Sequence, residues 1–389
     1  MTDGADAHPR AGDDASGAPA PAPRRAAERL RQAAKRAAGP QAYAVARSLF
    51  HLPRGSELRS PHSLLDKLDA WRRGFKADSV AIYDFERNDP RDYLNDYVRQ
   101  FRCVRINPAR ALFDHKLAMR VFLLSKGLPQ AETVALLHGG DVQLAPFSDA
   151  PRLLTPAELE AWMLRDGGRY IVKPEDGTRG ANVVLVTTDG GVLRRHRGRE
   201  ARPYRVAASP HVVTLVERVI EQGEFWRTLC PHSTNTMRVV TMWAPGERAP
   251  FIGAALQRIG TADTAPADNW SAGGIGARID VATGRMGRGR MHPRKGRGTQ
   301  LEFTHHPDTG AQIEGAAVPH WDRVCETVLR AASSSLAHRY VGWDVAVDAE
   351  GMPVIIEGNN NTDVNLLQVH GGLLADPRIR RFYEQCGVL

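Results

Sequence analysis

Apolar and polar positions divide this 389-residue chain into an N-terminal stretch without clear periodicity and a longer part in which short apolar runs recur. Residues 1–24 are rich in Ala, Pro, Gly and Asp. Such a stretch cannot bury enough apolar surface to offset its ordering entropy, so a disordered tail is expected. "RRAAERLRQAAKRAAG" follows with strong helix formers and a stop at Gly39, which predicts a basic helix. From 41 to about 100, stretches such as "SPHSLLDKLDAWRRGF", with Ser60 as a candidate cap, extend a helical N-terminal region over 25–104.

Beyond that point the pattern alternates between helix and strand signals. "FDHKLAMRVFLLSKGLP" predicts a helix from about Asp114 to Ser125, stopped at Gly127-Leu128-Pro129, with a short strand near 133–138. "RYIVKP" and "NVVLVT" flank the glycine-bearing turn "EDGTRGA" and predict a hairpin. Further strands are expected at "HVVTLVE", "TMRVVTMW", "FIGAALQRI" and "GGIGARID". A helix near 319–338 precedes the closing pair "GWDVAVD" and "MPVIIEG", joined by a turn at 348–351, and "DPRIRRFYEQCG" predicts a terminal helix. This irregular order points to the α+β class rather than a regular βαβ repeat.

Composition narrows the classes. With 42% hydrophobic and 25% charged residues the chain has room for two or three packed subdomains. No apolar run approaches the 18 residues of a membrane span, and the N-terminus carries acids and prolines where a signal peptide has an apolar core, so a cytoplasmic protein is expected. Cys103, Cys230, Cys325 and Cys386 are scattered and should be reduced thiols. The net charge of +8 favours anionic partners. Two Arg-rich segments, 194–205 and 285–297, lack apolar periodicity and are expected to be solvated loops. No helix-turn-helix, zinc-finger or aromatic RNA-binding signature accompanies them, so specific nucleic-acid binding is not expected.

Three places carry candidate chemistry. Lys173, at a strand end before the loop containing Gly177, Thr178 and Gly180, can face a polyphosphate together with loop N–H groups, although a glycine turn is also an ordinary connection. In "LVERVIEQGE", a strand running into a connection can offer adenine its hydrogen bonds while a carboxylate holds ribose hydroxyls; Glu217 and Glu224 are spaced for this, or are surface charges. Asp344 and Glu357 lie on strands that the 348–351 turn sets side by side, and with the Asn359 amide they supply hard oxygen ligands suited to Mg²⁺. Carboxylates at buried strand ends are costly unless a cation neutralises them; the alternative is a hairpin with polar ends. Ser271 and the Gly273-Gly274 backbone could face an acceptor, or belong to a bulged glycine strand.

Taken together, "YIVKPEDGTRGANVVLV", "LVERVIEQGE", "NTMRVVTMW" and "DVAVD…VIIEGNNN" resemble the ATP-grasp ligases, the superfamily of D-alanine–D-alanine ligase. "NTMRVVTMW", "DNWSAGGIGARIDVATG" and "GWDVAVDAEGMPVIIEGNN" resemble its sugar-transfer-associated branch, predicted to act in cell-surface polysaccharide formation; the resemblance covers roughly 105–385. It implies an ATP-grasp fold, two α+β lobes gripping ATP, divided here into 105–160, a nucleotide-binding lobe at 161–220 and a C-terminal lobe at 221–389. Lys116 and Lys173 would contact the phosphates and residues 177–180 would close over them. Glu217, Val219 and Ile220 would hold adenine, and Glu224 the ribose. Arg238 would neutralise the transferred phosphoryl group, and Asp344, Glu357 and Asn359 would hold one or two Mg²⁺. The arginine that the D-alanine ligases carry two residues before the metal aspartate is here Gly342, so Arg238 or Arg258 would replace it.

The implied reaction is ATP- and Mg²⁺-dependent joining of a carboxylate to an amine through an acyl-phosphate, on small substrates that include sugar-linked ones. Such chemistry requires no Ser or Cys nucleophile. The rivals are a kinase acting on a sugar or small molecule and a non-catalytic basic binding protein.

Overall fold

A computed structural model of the chain describes residues 63–175, 183–197, 200–296 and 300–389. The expected tail, the basic helix before Gly39, Ser60 and the loop residues Gly177, Thr178 and Gly180 lie outside the described residues. Ser63 caps the helix Leu64–Arg72: its hydroxyl accepts from the Asp66 N–H and the Asp66 carboxylate accepts from the Ser63 N–H, a reciprocal pair that satisfies two helix-end donors. The helix expected from about Asp114 to Ser125 is present as Lys116–Ser125, preceded by a separate short helix Ala111–Asp114 with His115 extended between them.

The first sheet contains β1 (Thr133–His138), β2 (Asp141–Leu144), β3 (Arg152–Leu154), β4 (Arg169–Pro174), β5 (Val184–Asp189), β6 (Val192–Arg197), β7 (Glu200–Pro203) and β8 (Thr214–Arg218). All pairs are antiparallel in the order β3-β2-β1-β8-β4-β5-β6-β7, which sets β8 between β1 and β4. The helix Pro156–Asp166 lays Leu159 and Met163 into this sheet's own core with Leu137, Val142, Tyr170 and Val186.

The second sheet contains β9 (Met237–Met242), β10 (Phe251–Ile259), β11 (Ile275–Ile279), β12 (Met286–Met291), β13 (Glu302–Phe303), β14 (Tyr340–Val347) and β15 (Pro353–Asn359), again all antiparallel, in the order β13-β12-β11-β10-β9-β14-β15. Side chains alternate between its faces. Val239, Val341, Trp343 and Val345 pack against Val324, Val328 and Ala331 of the helix Trp321–Ser333. On the other face Val240, Leu256 and Tyr340 meet Phe382 and Tyr383 of the C-terminal helix Pro377–Gln385, together with Leu94 and Val98 of the N-terminal region. That apolar cover stops short of Arg238 and Asp344, where the same face turns polar.

The expectation of solvated loops in the Arg-rich segments is corrected, because β6 and β7 occupy much of 194–205 and β12 much of 285–297. In "MGRGRM" the inward alternation is masked because glycine stands where an apolar residue would be read. A Cβ at Gly289 would lie 2.6 Å from Ile275 Cγ2, so the packing excludes a side chain there. All four residues of β7 are exposed at the sheet's edge, where charge discourages pairing with another chain. The helix Pro156–Asp166, absent from the sequence reading, carried a usable signal in Thr155-Pro156-Ala157-Glu158, a capping box with proline at the first turn. No helix among the described residues is long and apolar enough to cross a membrane.

Candidate functional site

Strand register assembles the site. Arg238 on β9 is opposite Asp344 on β14, and Asp344 is opposite Glu357 on β15. Directly opposed residues share a face, so the three form one row across adjacent strands. Arg238 Nε donates to Asp344 Oδ1 at 2.5 Å, while Arg238 Nη2 and Arg258 Nη1 each donate to Oδ2 at 3.0 Å. Arg258 Nη2 also donates to Asp268 Oδ1 at 2.5 Å, and Asp268 accepts from the Thr236 N–H and hydroxyl. Burial would raise the Asp344 pKa; Arg238 and Arg258 outweigh it and hold the carboxyl below its ordinary range. Burial and the charge of Asp344 push Glu357 the other way, above its ordinary value. The Glu357 carboxylate has no hydrogen-bond or ion-pair partner among the described residues. Asn359 lies opposite Gly342 and donates to its carbonyl at 3.2 Å.

Gly342 has a steric reason. A Cβ there would lie 2.3 Å from Thr362 Oγ1 and 3.1 Å from Arg238 Cδ. Arg238 leans across this space and donates to Thr362 Oγ1 at 2.7 Å. The guanidinium thus arrives from the neighbouring strand, and position 342 must carry no side chain for it to do so.

A second group faces the row from the first sheet. Lys173, at the end of β4, holds Glu217 Oε2 at 2.7 Å, and Glu217 Oε1 accepts from Arg120 Nη2 at 2.8 Å and Nε at 3.1 Å. All three side chains are buried. Burial lowers the Lys173 pKa despite Glu217; it would raise that of Glu217, but Arg120 and Lys173 together bring it below its ordinary value. Glu217, expected at adenine, therefore has its carboxylate committed to two cations. Arg120 escaped the sequence reading, although Lys116, Met119, Arg120 and Leu123 lie at helical spacing, which places an arginine within an apolar stripe.

A cavity of about 190 Å³ between the sheets is lined by Lys116, Lys173, Glu217, Arg258, Asp344 and Glu357, with Ala131, Ile171, Ile220 and Ile356 as apolar walls. Lys116 Nζ also donates to the Glu175 carbonyl at 3.0 Å. Val219 lines an adjoining hollow that shares Ile171 and Ile220 with the cavity. Glu224 opens the helix Glu224–Leu229 and is exposed, away from the cavity lining. Ser271 is exposed and donates to Asn269 Oδ1 at 2.9 Å, while a Cβ at Gly274 would lie 2.8 Å from the Asp268 carbonyl oxygen. This segment is a tight turn that carries Asp268 to Arg258. Among the described residues no three His, Cys, Asp or Glu side chains cluster to hold a metal, so any divalent site here depends on two carboxylates and an amide.

No match was found among curated proteins. Among solved structures, the ATP-grasp ligase PsnB complexed with a precursor peptide and AMPPNP is 13% identical, with a TM-score of 0.37, covering 72% of this chain and 62% of that one. D-alanyl-alanine synthetase A from Vibrio cholerae is 12% identical, with a TM-score of 0.40, covering 71% and 64%. An L-amino acid ligase from Bacillus licheniformis is 11% identical, with a TM-score of 0.31, covering 64% and 41%. The chain thus spans less than two thirds of the length of each of these proteins. The family described as sugar-transfer associated ATP-grasp matches over residues 103–383, well over half of the chain. Because that match takes in both sheets, the cavity between them and the whole Arg238–Asp344–Glu357 row, the chain belongs to the sugar-transfer associated ATP-grasp family.

Proposed function

We propose that this protein is an ATP- and Mg²⁺-dependent ligase that joins a carboxylate to an amine. The observation that carries this reading is the Arg238–Asp344–Glu357 row set across a cavity from buried Lys173. Lys116 and Lys173 bind the triphosphate, with Gly177, Thr178 and Gly180 in the loop that covers it. Val219 and Ile220 wall the adenine side above Glu217, and Glu224 serves the ribose.

Asp344, Glu357 and Asn359 would hold Mg²⁺, whose charge, when bound, offsets that of the triphosphate. The fit rests on Glu357, a carboxylate beside a second carboxylate with its own oxygens unpartnered among the described residues. The γ-phosphoryl group of ATP passes to the substrate carboxylate, giving ADP and an acyl-phosphate. An amine then attacks the carbonyl carbon and phosphate leaves. Arg238 and Arg258, fixed by Asp344 and Asp268, stabilise the charge that develops on the transferring group. The family's name supports substrates on a sugar-linked route, and we assign that route to the assembly of cell-surface polysaccharide.

Incubation with ATP, Mg²⁺ and panels of acids and amines tests this, with hydroxylamine as a trap. ADP, free phosphate and a hydroxamate are expected. ADP with a phosphorylated hydroxyl and no free phosphate would establish a kinase instead. Salt-sensitive binding of an anionic polymer without nucleotide turnover would establish a binding protein.

A further inference from the structure

Arg120 lies in the helix Lys116–Ser125 with no exposed surface. Its guanidinium is divided between the two sheets. Nε and Nη2 hold Glu217 Oε1 on β8, and Glu217 in turn holds Lys173. Nη1 donates to the Ile355 carbonyl at 3.0 Å and Nη2 to the Ile356 carbonyl at 2.9 Å, both on β15. Those carbonyls flank a bulge. Asp344 pairs with Glu357 but Val345 pairs with Ile355, so Ile356 is the extra residue, immediately before Glu357. A bulge disrupts the ladder and leaves its extra residue unpaired, and here a buried arginine supplies donors to the carbonyls at that point.

We propose that Arg120 is a positioning residue that ties Lys173 of the nucleotide-binding lobe to the strand carrying Glu357, fixing the spacing between the phosphate lysine and the cation-binding row. This rests on Lys173 and Glu357 serving the nucleotide as proposed above. The planar guanidinium suits the task because one side chain must reach a carboxylate and two carbonyls at once; an ammonium on a flexible stem cannot span all three. Glu217 makes the burial tolerable, since an unpaired buried guanidinium would be strongly destabilising.

The test is the dissociation constant of ATP with Mg²⁺, measured against pH for the wild type, R120Q, R120K and E217Q, with turnover and melting temperature alongside. R120Q should weaken binding roughly tenfold or more, the consequence of losing a buried charged partner. The alkaline limb, where Lys173 loses its proton, should move to higher pH in R120Q, because the neighbouring positive charge has gone. It should move to lower pH in E217Q, because the neighbouring negative charge has gone. R120K should keep the limb near its wild-type position while affinity stays low.

A role confined to stability would lower the melting temperature without moving the limb in opposite directions. Wild-type affinity in R120K or R120Q, or limbs that move together in R120Q and E217Q, would overturn the proposal. If R120Q does not fold, R120K decides by its affinity. A wild-type chain that binds no nucleotide would instead overturn the nucleotide reading on which this rests.

Discussion

Glu357 and Lys173, to which the proposed chemistry is assigned, sit in surroundings that shift their pKa values in opposite directions, Glu357 upward and Lys173 downward. Glu357 is an acid beside another acid, raised by burial and by Asp344, and a cation joining the pair would favour its negative form. Glu357→Gln should therefore leave the melting temperature unchanged or higher while phosphate release falls by about two orders of magnitude or more, as for other groups that stabilise developing charge. A rate near wild type would remove the metal assignment. Lys173 is pinned by Glu217 rather than swinging freely, so for the proposed phosphate role it would be aimed before a triphosphate binds. In Lys173→Ala the ATP dissociation constant should rise roughly tenfold or more. An unchanged constant, read by calorimetry, would place the phosphates elsewhere.

The β14–β15 hairpin sets Asp344 beside Glu357, and its glycines are placed for different reasons. Gly351 turns the hairpin at φ +78°, in the left-handed region that glycine enters without strain, and packs against the His320 ring. Gly342 is needed for space. Gly342→Ala should force Arg238 and Thr362 apart, costing about 1–3 kcal/mol of stability, as overpacked sites do. Turnover should fall further than that loss explains, because the arginine bonded to Asp344 is displaced as well. Denaturant unfolding together with kcat tests this; a variant that loses stability but keeps its rate would show that Arg238 has no part in the chemistry.

The two lobes have separate cores and share the charged cavity between them, so a ligand that touches both should stabilise the whole. Saturation with ATP and Mg²⁺ at 100 times the dissociation constant should add about 2.7 kcal/mol, visible as a rise in melting temperature. Stability should also depend on pH through His370. This ring pairs with the Gly276 carbonyl at 3.0 Å, and burial, with Arg290 and Arg278 nearby, pushes its pKa down to about 3. The unfolded chain takes up a proton near pH ~6.5 that the folded chain refuses until about 3, so this contribution is complete above ~6.5 and is lost as pH falls through the window between them. The depressed carboxyls of Glu217 and Asp344 add their losses only below ~4.3 and ~3.9. His370→Gln should therefore flatten the fall in melting temperature between pH 6.5 and 4.5; a slope equal to wild type would exclude His370 as its source.

Local order was readable wherever the chain's periodicity was uninterrupted. The apolar runs at β4, β9, β10, β14 and β15 announced strands, and the turn between 344 and 357 announced that their carboxylates would be neighbours. The Arg-rich strands β6, β7 and β12 were hidden, because glycine and arginine carry no apolar alternation and their inward positions are defined by what packs against them. Arg120 is 97 residues from Glu217 and 235 from Ile355, and no local pattern reports a partner at that distance. Periodicity in one segment records which of its faces avoids water, and that suffices to place individual strands and helices. Which distant arginine closes on which carboxylate is decided only when the sheets pack, because a buried charge must find its partner within the folded interior, whatever their separation along the chain.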